Sequence, residues 1–207
     1  ATAGPNAGVG AVTTVLPGAS GQVTAFTVTN NGNTDQGYTL AAADGTGGSP
    51  TVQGVADTIN TTAITVFVES GATPGYQVLE DTATQITTLA PDASQTVYVV
   101  ATIPALATNG QQAAVTLTAT TTVATTMAAL TNDLASADNP TVVQNVFADP
   151  LIAAAANQAG NTAGDAIGVA VDAYRVSSSI ISVAKTATLL CDPINGVTNP
   201  KNIPGAI

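Results

Sequence analysis

Hydrophobic and polar residues alternate with a period of two over much of the first 123 residues of this chain. In the clearest example, residues 23–29, Val, Ala and Thr alternate with Thr, Phe and Val. Successive side chains of a β-strand point to opposite faces of a sheet, so this period is typical of a strand. The cluster Asn-Asn-Gly-Asn at 30–33 follows directly and predicts a turn.

Further segments repeat this pattern and are separated by clusters of Gly, Pro, Asn or Asp. They cover residues 9–16, 38–43, 51–55, 63–68, 85–89, 96–103 and 113–123. Short strands at spacings of about 8–12 residues are typical of an antiparallel β-sandwich. We therefore expect residues 8–123 to form an immunoglobulin-like sandwich of seven or eight strands. Residues expected on its inner faces are Val23, Phe26, Val28, Val66, Val97, Val99 and Val115.

The pattern is interrupted between residues 124 and 164, which we predict to be an insertion or a long connection. Its Ala-rich stretches at 126–137 and 151–159 are candidates for short helices. The β pattern returns at 167–174 and 176–190. The predicted organisation is therefore a strand or extension at 1–16, a sandwich at 17–123, a partly helical insertion at 124–164 and C-terminal strands at 165–207.

The composition excludes most of the chemistry that a protein site can carry. The chain has no His, and Cys191 has no second cysteine to pair with. Without imidazole there is no Ser-His-Asp or Cys-His pair and no usual zinc site. We therefore predict that the chain is not an enzyme and holds no cofactor or metal. No apolar run reaches the ~20 residues that span a bilayer, so we expect no membrane insertion.

Charge is distributed unevenly along the chain, whose net charge is −10. Residues 1–174 carry twelve acidic and no basic residues, whereas residues 175–207 carry three basic residues and one acidic residue. This balance excludes binding to a nucleic-acid backbone. It suits head-to-tail contact in which Arg175, Lys185 and Lys201 of one copy meet the acidic body of the next. The alternative is a chance placement of three residues.

Several other residues are candidates for specific chemistry. Glu69, Glu80 and Asp81 could converge on a cation, although acidic residues at a hairpin end are usually solvated. Asn60 opens an Asn-Thr-Thr sequon and is a possible glycosylation site. Lys185 could form an isopeptide crosslink to an Asn, but a Lys whose ammonium reaches water is the commoner state.

Some stretches resemble modules of bacterial surface proteins. The sequence V-A-K-T at 183–186, followed by I-P-G-A at 203–206, resembles the opening of the "conserved repeat domain" of large bacterial surface proteins. The stretches 23–32 and 89–100 are similar to the module that precedes such repeats. The resemblance implies an exported, immunoglobulin-like β-sandwich with a structural or adhesive role and no catalytic residues. It also implies that a following repeat starts within 165–207.

These observations lead to two hypotheses about function. The first is a structural subunit of an extracellular filament or surface assembly, a homopolymer that grows head-to-tail by strand donation. The expected contacts between copies are Val9, Val12, Val15, Leu16, Arg175, Lys185 and Lys201. The alternative is an adhesin or carbohydrate-binding module of a larger cell-surface protein. Small residues at 1–4 are typical of a signal-peptidase cut, so we expect export with the signal peptide removed.

Overall fold

The structure, a computed structural model, describes residues 2–5, 12–46, 48–149, 151, 162–178 and 184–185. This part of the chain forms β-strands and no helix, which confirms the predicted all-β class. The strands are β1 (Thr2–Pro5), β2 (Thr13–Val15), β3 (Gln22–Thr29), β4 (Gln36–Asp44), β5 (Ala63–Val68), β6 (Gln85–Leu89), β7 (Ser94–Thr102), β8 (Gln112–Val123) and β9 (Ile167–Val176). Within these ranges no helix has the length and apolar character that crossing a membrane requires.

The strands form two sheets packed face to face, which confirms the predicted sandwich. The first sheet has the order β1-β3-β7-β5 and the second has the order β2-β9-β8-β4-β6. Neighbouring strands are antiparallel except for β2 and β9, which are parallel. Because β9 lies between β2 and β8, the sandwich includes a strand from beyond residue 164.

The core lies between the sheets and follows the period of two in the sequence. On β3, the side chains of Thr24, Phe26 and Val28 are buried, while those between them are partly exposed. The predicted inner positions that are buried are Phe26, Val28, Val66, Val97, Val99 and Val115. The prediction for Val23 is wrong, because adjacent strand residues face opposite ways and Thr24 takes the inner position instead.

A tyrosine in the core ties the two sheets together by hydrogen bonding. Tyr174 of β9 is fully buried, and its hydroxyl donates to the backbone oxygen of Val99 on β7 at 2.7 Å. The backbone oxygen of Gln22 on β3 lies at 3.2 Å from the same hydroxyl. Burial raises the pKa of this phenol above its ordinary value, so the hydroxyl remains a donor.

The second sheet is also covered on its outer face. A second buried cluster there contains Val12, Val52, Ala114, Val169, Val171 and Ala173. The segment 45–62, between β4 and β5, is fastened to this face by Gln112 and Asp57. Gln112 Nε2 donates to the backbone oxygens of Val52 and Val55 at 3.2 and 2.9 Å. Asp57 Oδ1 accepts a hydrogen bond of 2.9 Å from the backbone N–H of Ala114 on β8. Both β8 and β9 are therefore buried on both faces over much of their length.

Several strands differ from their predicted bounds. Residues 51–55 form an isolated bridge and not a strand, because Gln53 and Gly54 have positive φ and turn the chain. The strand predicted at 9–16 is observed at Thr13–Val15, and residues 9–11 lie outside the described residues. The strand predicted at 167–174 is observed within β9, which extends to Val176. Of the strand predicted at 176–190, Val176 belongs to β9, and Ser177 and Ser178 are irregular. Most of 179–190 lies outside the described residues.

The helix predicted at 126–137 is not formed. Positive φ values of 67° at Thr125 and 56° at Met127 are incompatible with a right-handed helix. Asn132 Oδ1 accepts the Leu134 N–H at 3.1 Å, which offers the backbone a local alternative to helical bonds. These local bonds outweigh the helix propensity of the alanines. The second predicted helix, at 151–159, lies outside the described residues apart from Leu151.

Candidate functional site

A cleft of about 500 Å³ opens between the loop that joins β3 to β4 and the chain that follows β8. Its polar lining residues are Asn31, Asn33, Thr34, Gln36, Thr121, Gln144, Asn145 and Asp149. Its apolar lining residues are Leu130, Val143, Val146, Phe147, Ala148 and Ala166. Loops at the ends of β-sandwiches commonly carry binding sites, and this volume is within the range of small-ligand pockets.

The wall formed by the β3–β4 loop is shaped by Asn30, whose side chain is fully buried. Its Nδ2 donates to the backbone oxygens of Leu89 and Thr34 at 2.8 and 2.9 Å. Its Oδ1 accepts the Gly32 N–H at 2.9 Å. With these three bonds, both N–H groups and the oxygen of the buried amide have partners. The bonds fix the conformation of the loop.

The opposite wall, within residues 130–149, is irregular and is held by hydrogen bonds between its own residues. The Asp133 N–H donates to the Asn145 oxygen at 2.7 Å, and the Asn145 N–H donates to Asp133 Oδ2 at 2.9 Å. Gln144 Oε1 accepts the Asn139 N–H at 2.9 Å, and its Nε2 donates to the Ala137 oxygen at 3.1 Å. This wall is therefore folded against itself.

Two carboxyl groups lie close together where this wall meets β9. Asp149 Oδ1 accepts the Ala166 N–H at 2.8 Å, and Asp149 Oδ2 lies 3.4 Å from the Asp165 nitrogen, which donates to it. Asp165 Oδ1 accepts the Ile167 N–H at 2.9 Å. Burial, together with the hydrogen bond and the charge of Asp149, raises the pKa of Asp165. Asp165 is therefore harder to ionise than an isolated aspartate.

The chemistry of the lining suits an uncharged polar ligand. Asn and Gln amides both donate and accept hydrogen bonds, as hydroxyl groups require of their partners. The described residues that line the cleft include no Lys or Arg, and Asp149 is the one acidic residue among them, so an anionic ligand is disfavoured. Among the described residues, no group of three or more His, Cys, Asp and Glu side chains is placed to hold a metal ion.

The N-terminal residues predicted to contact another copy lie in different environments. Val15 is 3% exposed and belongs to the main core, and Val12 is 9% exposed and belongs to the outer cluster. Leu16 is 64% exposed, and Val9 lies outside the described residues. The structure pairs β1 with β3 and β2 with β9 of the same chain, so both terminal strands have partners within one copy.

The basic residues predicted at the same contact are also separated. Arg175 is half-buried, and its Nη2 and Nε donate to Gln112 Oε1 at 2.9 and 3.3 Å. Lys185 is exposed, which removes the burial that an isopeptide crosslink requires. Lys201 lies outside the described residues. Asn60, the possible glycosylation site, is exposed.

The acidic residues considered as cation ligands hold the loop 69–81 in place. Glu69 and Glu80 accept hydrogen bonds from backbone N–H groups within residues 72–75. Asp81 is fully buried and accepts two further N–H groups of this loop, both at 2.7 Å. Glu69 also accepts the hydroxyl of Tyr98. Burial and this carboxylate raise the pKa of Tyr98 to about 12. Backbone donors thus occupy the positions that a cation would take.

The sequence pattern does not predict the cleft. The Asn-rich stretch at 30–33 predicts a turn, and nothing in it shows that the turn forms one wall of a cavity. The other wall comes from 143–149, within the segment predicted to be an insertion. Only the fold brings these two distant segments together.

Comparisons with known proteins assign no family to this chain. No family model matches it, and no curated protein matches it. Among solved structures, it is similar to AvmM, which catalyses macrocyclization in alchivemycin A biosynthesis. The likeness covers 85% of this chain and 89% of that chain, with 12% identity and a TM-score of 0.35.

The prediction that the chain is not an enzyme is corrected by this finding, because the structural neighbour is a catalyst. We therefore withdraw the exclusion of enzymatic activity. The likeness is too distant to assign a substrate, a reaction or a catalytic residue to this chain.

Proposed function

We propose that the chain is a structural subunit of an extracellular filament or surface assembly, in which the N-terminal strands of one copy pair with the sheets of the next. The observation that carries this proposal is the position of β1 and β2. Each is a short edge strand on a different sheet, β1 beside β3 and β2 beside β9. The backbone groups that such strands satisfy can equally be satisfied by a strand from another copy.

Exchange of these strands requires few bonds to break. β1 pairs with β3 over four residues, and β2 pairs with β9 over three. The same contacts form again in the neighbouring copy, as in domain swapping. The Val15 side chain of β2 is buried in the main core, and full burial of a valine contributes about 1.5–3 kcal/mol. A copy that has lost its own strand is thus an acceptor for another.

Charge supports a head-to-tail arrangement but only weakly. Arg175 is already bonded to Gln112 within the chain, which leaves Lys185 and Lys201 as the proposed basic contacts. Exposed ion pairs contribute about 0–1 kcal/mol each. Apolar contacts of the exchanged strands must therefore supply most of the affinity, and salt should modulate assembly without abolishing it.

Disulfide trapping distinguishes pairing within a copy from pairing between copies. Thr2 and Thr29 are partners in the β1–β3 register, so both are replaced by Cys in a background that carries Cys191→Ser. If strands are exchanged, oxidation yields a ladder of covalent multimers on a non-reducing gel. The single replacement Thr29→Cys is the control and yields no ladder.

A closed monomer as the sole product of oxidation would contradict strand exchange. A second test is deletion of residues 1–16, which should leave a folded protein that does not form fibres under negative-stain microscopy. Normal fibres from this deletion would refute the role of the N-terminal strands.

We also propose that the sandwich is immunoglobulin-like and acts outside the cell. The order β1-β3-β7-β5 corresponds to the A-B-E-D sheet of that fold, and β9-β8-β4 corresponds to G-F-C. The edge strand β6 departs from this order, since it follows β5 in the chain but pairs with β4. Antibody labelling of intact and permeabilised cells tests the location, because a surface protein is labelled in both.

A second candidate function, binding of an uncharged glycan, is favoured by the cleft between the β3–β4 loop and residues 130–149. Its lining is rich in amides and has no basic side chain among the residues that the structure describes, which matches a ligand that presents hydroxyl groups and no charge. A glycan array with the purified protein tests this proposal. Asn145 lines the cleft, so Asn145→Ala should weaken glycan binding on the array. Asn60 is exposed and does not line the cleft, so Asn60→Ala is the control and should leave binding unchanged. An array with no binding to neutral glycans would refute it.

A further inference from the structure

A hydroxyl and a carboxyl group meet in the core between the two sheets. Thr24 lies on β3 of the first sheet and Asp172 on β9 of the second, and they are 4% and 5% exposed. The Thr24 hydroxyl donates to Asp172 Oδ2. The two residues are 148 positions apart in the sequence, so their contact links distant parts of the chain.

The surroundings of this pair are apolar. Phe26 follows Thr24 on the inner face of β3, and Ala170 and Tyr174 flank Asp172 on the inner face of β9. No lysine or arginine of the described residues is bonded to Asp172, since Arg175 points to Gln112 and Lys185 is exposed. Within the described part of the chain, Asp172 therefore has no counter-charge to favour its ionised form.

The surroundings of Asp172 favour the neutral form of its carboxyl group, which a nucleophile can attack. Burial raises the pKa of Asp172, against the opposing effect of hydrogen bonds from Thr24 and Ala173. The neutral acid is therefore more populated than in solvent. The Ala173 N–H donates to Asp172 Oδ1 at 2.7 Å and polarises this oxygen, as an oxyanion donor does in acyl transfer.

We propose that Thr24 and Asp172 are a modification site and become joined by an ester bond that crosslinks the two sheets. Thr24 Oγ1 attacks Asp172 Cγ, and a bond forms between these atoms. The Cγ–Oδ2 bond breaks, and Oδ2 leaves as water with the carboxyl proton and the proton of the Thr24 hydroxyl. The hydrogen bond from Oγ1 to Oδ2 provides the path for this proton. No oxidant, metal or other reactant is required.

The equilibrium favours the ester because the reacting groups are fixed and buried. Oriented groups within one molecule reach effective concentrations of roughly 10⁵ M or more, far above the concentration of water. The apolar surroundings also exclude the water that would hydrolyse the bond. The crosslink is therefore expected in the folded protein and not in the unfolded chain.

Proteolysis tests the proposal, because the glutamates of the chain are Glu69 and Glu80 alone. A glutamate-specific protease under denaturing conditions separates fragments 1–69 and 81–207. With the ester in place these two fragments migrate together, and the intact protein is lighter than its sequence mass by one water molecule. Trypsin is unsuitable because the first basic residue is Arg175, beyond both partners.

Variants and a chemical probe identify the bond. Thr24→Val retains the shape but lacks the hydroxyl, so the fragments should separate and the mass should equal the sequence mass. Thr27→Val, on the outer face of the same strand, should keep the crosslink. Mild alkali hydrolyses esters much faster than amides, so alkaline treatment of the denatured digest should release the two fragments of the parent protein. Hydroxylamine is unsuitable because it also cleaves the Asn-Gly bonds at 31–32, 109–110 and 195–196. A parent protein of full sequence mass, with freely separating fragments, would overturn the proposal.

Discussion

Gln112 should be a main anchor of the segment 45–62 on the second sheet. Its side chain is fully buried, which is rare for an amide, and each of its polar atoms has a partner. Nε2 donates to the backbone oxygens of Val52 and Val55, and Oε1 accepts from Arg175. Replacement of Gln112 by Met retains most of the volume and removes these bonds.

The expected cost follows from the bonds that are lost. Each of the two bonds from Nε2 contributes about 0.5–1.5 kcal/mol. The Val52 and Val55 oxygens keep a partner, because each also accepts the other residue's backbone N–H, at 3.1 and 3.0 Å. Arg175 is half-buried and can bind water instead, so its lost bond adds little. We expect Gln112→Met to reduce the free energy of unfolding by about 1–3 kcal/mol.

Urea denaturation followed by circular dichroism measures this change, with an unaltered m value as the check on two-state unfolding. Gln111→Met is the matched control. The Gln111 side chain accepts one exposed bond of 2.7 Å from the Thr108 N–H, and its loss should cost less than about 1 kcal/mol. Hydrogen exchange should accelerate in the segment 45–62 only in the Gln112 variant.

Equal stabilities of the two variants would refute this reasoning, because the bonds of Gln112 would then contribute no more than a surface amide does. Unchanged exchange in segment 45–62 would show in addition that other contacts hold the segment in place.

Other residues allow shorter tests. Tyr174→Phe removes the hydroxyl that bonds to Val99 across the core and should cost about 1–2 kcal/mol in urea denaturation, and no change would exclude this bond. Asn30→Ala removes three bonds of the β3–β4 loop and should accelerate hydrogen exchange at residues 31–34, while slow exchange there would contradict the role of Asn30. Burial raises the pKa of Asp57 above the ordinary value of about 3.9, so its proton stabilises the fold at low pH and this contribution is lost as the pH rises through the raised pKa. The thermal unfolding temperature should therefore fall with rising pH above about pH 4, and fall less in Asp57→Asn; an identical pH profile for both proteins would refute this.

The sequence predicts those strands that have one face in the core and the other face partly exposed to solvent. β3 alternates between buried and partly exposed positions, and the period of two is visible in its residues. In β8, every residue from Gln112 to Leu117 is buried. Its sequence therefore predicts a strand, but it does not show which segment covers the outer face of that strand. The anchoring of segment 45–62 could not be predicted, because it depends on one amide and one carboxylate that read as ordinary polar residues.

The contacts of the candidate cleft are harder still to predict. Asn30 looks like any turn residue, yet one of its three bonds is to the backbone oxygen of Leu89, which is distant in the chain. Asp149 contacts the residues just before β9, and this pairing follows from where β9 enters the second sheet. A sequence pattern records which face of an element is apolar, but it does not record which loops the topology brings together.

The position of β9 connects the proposed assembly with the proposed crosslink. β9 pairs with β2 on one side and β8 on the other, and its inner face carries Asp172 and Tyr174, which contact the first sheet. An ester between β3 and β9 would hold the two sheets together without any contribution from β1 or β2. The N-terminal strands could then leave for a neighbouring copy while the rest of the sandwich stays closed. The core should therefore survive strand exchange only if the contact between β3 and β9 is kept. We expect deletion of residues 1–16 to lower the free energy of unfolding more in the Thr24→Val variant than in the parent chain.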